Sequence, residues 1–169
     1  MRVLVVMVCV LVLPWPALAA RVGSRLPAVE VHGSDGTTLV LDRLRARMTV
    51  ITYETRDVVH DNDRFKQAVF ALAQQPRIVA IVDCSAYPWP IRRWCETAVF
   101  RHARDLTIPL YVDRAGAVRS ALALPAECSN VLVVDGQGYI RYCFSGIMPE
   151  REVARALALL TGPAAPSRQ

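Results

Sequence analysis

Apolar positions along this chain follow two periods, and the switches between them lay out the fold. Arg77 to Asp83 reads Arg-Ile-Val-Ala-Ile-Val-Asp, a β-branched run that predicts a strand buried on both faces. Met48 to Tyr53, Asn130 to Asp135 and the shorter Ile108 to Val112 read as strands of the same kind. Between them the period becomes helical. Phe65, Ala68, Val69 and Leu72 share one helix face, with a cap available from Asp61, Asn62 or Asp63 and a stop at Pro76. Ile91, Trp94, Cys95, Ala98, Val99 and His102 share a face of a second helix, which Pro90 opens. Asp113 to Leu124 reads as a turn and a short helix. Gly136-Gln137-Gly138 then turns the strand before it into Tyr139 to Phe144, a β-hairpin. Pro149 opens a last helix carrying Val153, Ala156, Leu157 and Leu160, and Gly162 ends it. Near the start, Pro27 to His32 and Thr37 to Leu41 flank the turn signal Gly33-Ser34-Asp35-Gly36.

Strands that alternate with helices call for a mainly parallel sheet covered by helices, and the hairpins add antiparallel strands. The expected class is therefore α/β: a sandwich with a central mixed sheet, flanking helices and an N-terminal β-hairpin extension. Residues 1–20 stand apart from it. Met1-Arg2 precedes the apolar run Val3 to Leu13, Pro14-Trp15-Pro16 breaks it, and Ala17-Leu18-Ala19 has the spacing a signal peptidase accepts. The run is shorter than the roughly 20 apolar residues that span a bilayer. We expect a cleaved signal peptide, no membrane span in the mature chain, one domain over 21–161 and a disordered tail over 162–169. Periplasmic or secreted placement follows.

Composition changes this picture little. Arg2 falls in the leader, so the formal charge of +5 becomes +4 on the remainder. Lys66 is the single lysine, and the arginines are scattered among acids without a run of like charge. That pattern argues against nucleic-acid binding. Cys9 lies in the leader, leaving Cys84, Cys95, Cys128 and Cys143, which an exported chain can pair in three ways.

Four segments carry a family resemblance. Residues 23–53 place a proline at the first strand, then a glycine turn leading to Leu41-Asp42-Arg43-Leu44. Residues 77–87 resemble a second core strand. Residues 108–124 read proline, strand, then Asp113-Arg114-Ala115-Gly116. Residues 129–160 hold a closing hairpin with Asp135-Gly136-Gln137-Gly138 and a final helix. In this order they resemble the thioredoxin-like superfamily, in its exported TlpA/ResA and peroxiredoxin-related form. The C-terminal half is similar to YtfJ-like proteins. The resemblance implies a Cys-x-x-Cys at the turn after the first core strand, where a helix N-terminus lowers a thiol pKa. That turn here reads Val58-Val59-His60-Asp61. The family's cis-proline before the hairpin strand is also missing, because Cys128-Ser129-Asn130 stand in its place.

The candidate chemistry is accordingly displaced. Cys84 ends a core strand and Cys128 precedes the hairpin strand at the same sheet edge, which would make them a relocated redox pair. The intervening first core strand opposes direct bonding between them. Cys95 reads as a buried small hydrophobe on its helix stripe. Cys84 with Cys95 is the shortest loop if a structural bridge exists. Cys143 lies within the last strand with no recognisable chemical neighbour. His60, near Asp57, Asp61 and Asp63, is either a general base or ligand, or a polar residue at a helix start. Glu54-Thr55-Arg56-Asp57 is suggestive in the same way. Tyr87-Pro88-Trp89-Pro90 sets two aromatics in a stiff loop. Trp89 either folds onto the following helix or, with Tyr87, contacts a partner. The cysteine and histidine spacings match no zinc pattern, and no phosphate loop, dinucleotide fingerprint or serine elbow is present, so neither metal nor cofactor is expected. The function expected first is a partner-binding or degenerate redox module whose partner is another exported protein. An atypical oxidoreductase using Cys84 and Cys128 is the alternative, and enzymatic activity stays open.

Overall fold

In the computed structural model, residues 22–103 and 108–162 are described. The leader expected over 1–20, with Cys9, and the tail from 163 onward lie outside the described residues. The strands are β1 (Glu30–Gly33), β2 (Thr38–Val40), β3 (Thr49–Glu54), β4 (Arg77–Asp83), β5 (Leu110–Asp113), β6 (Asn130–Val134) and β7 (Ile140–Ser145). The helices are α1 (Asp63–Phe70), α2 (Ile91–His102), α3 (Ala117–Leu122) and α4 (Glu150–Thr161).

The strands form one seven-stranded sheet in the order β2-β1-β5-β4-β3-β6-β7. β3, β4 and β5 run parallel, and β6 and β7 continue the sheet antiparallel on one side. The hairpin of β1 and β2 adds antiparallel to β5 on the other side. The mixed sheet, flanking helices and hairpin extension match the class the sequence predicts. Ends differ by a few residues. The first helix stops at Phe70 rather than Leu72, and β5 begins at Leu110.

Alternation along the strands sends side chains to two cores. Ile51, Tyr53, Val79, Ile81, Leu132 and Val134 meet Val118 and Leu122 of α3, together with Leu41 and Leu44. On the opposite face Val50, Val131 and Val133 meet Phe65 and Val69 of α1, and Val153 and Ala156 of α4. The crossovers β3–α1–β4 and β4–α2–β5 both step the same way across the sheet. Right-handed connection then places α1 and α2 on one face, the face away from α3.

That face is incompletely covered. Along β4 the residues toward α3, Val79 and Ile81, are buried, whereas Ile78, Ala80 and Val82 are only half-buried. The expectation of burial on both faces fails here. α2 explains why: it contributes no buried residue, and Ile91 and Trp94 on its apolar stripe are 45% and 69% exposed. The stripe is real, but it borders a groove instead of closing onto the sheet.

The turn into α3 shows a local constraint. Gly116 sits at φ +70, the left-handed region that glycine tolerates, and a Cβ there would lie 2.7 Å from the Ser85 hydroxyl. Ser85 Oγ already donates to Asp83 Oδ1 at 2.6 Å. Gly116→Ala is expected to cost about 1–2 kcal/mol, read as a lower urea midpoint with an unchanged slope. A neutral result would show that the turn relaxes freely.

Candidate functional site

The carboxyl ends of parallel strands are where open α/β sheets hold their ligands. At this edge β3 ends in Glu54, a 3-10 turn covers Arg56–Val58, and α1 starts at Asp63. This is the corner where the resemblance implies a dithiol. A hydrogen-bonded polar cluster fills it. The Glu54 carboxylate, 5% exposed, accepts from Lys66 Nζ at 2.9 Å and from the Ser129 hydroxyl at 2.5 Å. Lys66 also donates to the Val59 carbonyl. Asn62 Nδ2 donates to Ser129 Oγ at 2.7 Å and to the Gly146 carbonyl at 3.0 Å, while its Oδ1 accepts the Met148 N–H at 2.8 Å. Asn62 does occupy the cap position of α1, but its side chain makes no capping bond. Its amide is committed instead to the loop before β6 and the turn before α4. Burial pushes the Glu54 carboxyl above the usual carboxylate range, against the pull of Lys66 and Ser129.

The place of the family's cis-proline is taken by a second set of polar bonds. Asn130 Nδ2 donates to the Cys128 carbonyl at 3.0 Å and the Pro125 carbonyl at 3.2 Å, and Ser145 Oγ donates to Asn130 Oδ1 at 2.6 Å. The cis peptide bond among the described residues is Trp89–Pro90, before α2. Cys128 is a free, half-buried thiol, and burial pushes its pKa up despite the Gly146 N–H. Cys143 on β7 is free as well, and burial raises its pKa too. Neither has the depressed pKa of an attacking thiol.

Cys84 does bond, but to Cys95, with Cα atoms 5.8 Å apart. This corrects two expectations. Cys84 is not paired with Cys128, because β3 lies between β4 and β6 and keeps the two ends apart. Cys95 is not a buried hydrophobe: it is half-buried and its sulfur joins α2 to the end of β4. The shortest loop is the one closed.

From the corner a groove of about 660 Å³ runs between α1, α2 and the sheet. Its floor is Thr52, Ala80, Val82 and Leu110; its walls are Phe65 and Val69 on one side and Ile91, Trp94, Cys95, Ala98 and Val99 on the other. Its mouth carries Arg56, Asp57, His60 and Lys66. His60 Nδ1 lies 2.9 Å from Asp63 Oδ2, on a ring that is 85% exposed. That solvated pair suits a helix start and gives no sign of a general base. Tyr87 lines the groove and donates its hydroxyl to Asp57 Oδ2 at 3.1 Å. Trp89 is 77% exposed, so it does not fold onto α2.

Sequence reading located the edge and the aromatic loop, and offered Cys84 with Cys95 only as the shortest loop should a bridge exist. It missed Lys66, Asn62 and Ser129 as one cluster, and it missed the groove. One usable signal was present: a lone lysine among so many arginines, set one helical turn after a candidate cap.

Among the described residues no helix is long and apolar enough to cross a membrane. No family model and no curated protein matches the sequence. Solved structures do, at the level of fold, and the fold is thioredoxin-like. The exposed lipoprotein thioredoxin Etrx1 of Streptococcus pneumoniae is 14% identical at a TM-score of 0.56, over 76% of this chain and 96% of that one. A candidate thiol:disulfide interchange protein DsbE from Chlorobium tepidum is 12% identical at 0.62, over 84% and 97%. The thioredoxin-like superfamily protein SPOA0173 is 22% identical at 0.57, over 83% and 99%.

Proposed function

We infer that this chain is an exported, thioredoxin-like binding module without dithiol chemistry at the usual corner, and that its groove receives an apolar segment of another exported protein. The observation that carries the reading is the pairing of two features at one edge. A saturated polar cluster occupies the corner where thiols would work, and an apolar groove opens beside it. Tyr87 on the groove wall and the exposed Trp89 beside it give that segment aromatic contacts at its rim. The exported part of this reading draws support from one structural neighbour being an exposed lipoprotein thioredoxin.

Filling the groove tests it. Ala98→Trp should weaken binding of the apolar dye anilinonaphthalene sulfonate by about tenfold or more, followed by fluorescence titration. Trp89→Ala should leave dye binding unchanged and reduce capture of a partner from a periplasmic extract. Unaltered dye affinity in Ala98→Trp would remove the groove as the site. Unaltered capture in Trp89→Ala would remove the rim contact.

A further inference from the structure

We propose that the Cys84–Cys95 disulfide is a thiol–disulfide exchange site of fixed polarity, with Cys95 as the sulfur that takes an incoming thiol and Cys84 as the leaving sulfur. The two sulfurs share a bond but not an environment. Cys84 is 0% exposed at the end of β4, beneath the loop that leads to α2. Cys95 is half-buried and lines the groove with Trp94 and Ala98. An attacking thiolate needs a path to one sulfur, and access selects which disulfide sulfur is attacked. Of the two cysteines, Cys95 lines the groove and Cys84 does not.

In the first step a thiolate RS⁻ bonds to Cys95 Sγ and the Cys84–Cys95 bond breaks. Cys84 departs with the bonding electrons as a thiolate and takes a proton from water. In the second step another RS⁻ attacks the substrate sulfur of the mixed disulfide, releasing RSSR and the Cys95 thiolate. Two thiols are oxidised and the protein disulfide is reduced; a small disulfide of the same class reverses both steps. The substrate class is a thiol slim enough to enter the groove. The site is distinct from the thiol-free corner at Val58 to Asp61, and it stands whether or not the groove also binds a partner.

The folded, oxidised wild-type chain tests this with glutathione as the probe. The reaction is quenched with acid at intervals, free thiols are alkylated, and adducts are mapped by peptide mass. The expected result is glutathione on Cys95 with Cys84 alkylated, increasing with glutathione and reversed by glutathione disulfide. Three results would overturn the proposal: glutathione on Cys84, adducts confined to Cys128 or Cys143, or a Cys84–Cys95 bond that opens only after denaturation. Dye binding to the groove is measured on the same samples, so loss of one property does not mask the other.

Discussion

Lys66→Met is expected to lower the free energy of unfolding by about 3 kcal/mol at neutral pH, with a fall in Tm of about 10 °C. The reason is the carboxylate left behind. Glu54 is buried, and Lys66 is its cationic partner at 2.9 Å. Removing the lysine strands a charge in a poorly solvated corner, and such a loss exceeds the small net worth of the pair itself. The pH dependence has a definite sign. The folded-state pKa of Glu54 is raised by burial. A raised pKa contributes stability that is fully present below the unfolded value and lost as pH rises through the folded value. Without Lys66 the folded pKa rises further. The defect should therefore be small in acid, where Glu54 is protonated in both states, and full once pH passes the folded pKa. Urea titrations across that range measure it. Adding Glu54→Gln to Lys66→Met should restore most of the loss. If the double variant is as unstable as the single one, the stranded charge is not the cause.

The second large effect belongs to the disulfide. Cys84→Ala with Cys95→Ala should cost about 3 kcal/mol, the range for a loop of this size; its ends are 11 residues apart in sequence. The loss should be uneven. α2 contributes no buried residue, and its remaining ties include the Glu96–Arg114 ion pair at 3.0 Å and the bond from Arg92 to the Tyr87 carbonyl. Hydrogen exchange should accelerate most in α2, well beyond the change in β6 amides, whose side chains are all buried. Equal acceleration in both elements would mean that the bond acts on the whole domain and not on the helix it joins.

Much of the fold is written in local pattern. The run at Arg77 to Asp83 is a strand over those same residues, and the stripe Val153, Ala156 lies buried on α4 as its period requires. Pattern fixes which face is apolar but not what covers it. The stripe on α2 has the same spacing as a packed helix, yet the small residues Thr52 and Ala80 beneath it leave space. The site was harder to read because its bonds span the chain. Ser129 reaches Glu54 across 75 positions, and Met148 reaches Asn62 across 86. An asparagine beside a helix start looks like a cap from local sequence, and only the return of the β7–α4 turn redirects it. The absent thiols were plain at once, since a missing residue type needs no tertiary information.

The lone lysine has one more consequence. Its side chain is 21% exposed and its amine is tied to Glu54. Acylating reagents such as succinimidyl esters should therefore modify that side chain slowly in the native state and quickly whenever the corner opens. The labelling rate read at Lys66 by peptide mass, apart from the terminal amine, becomes a direct gauge of how often α1 parts from the end of β3, with no engineered probe required.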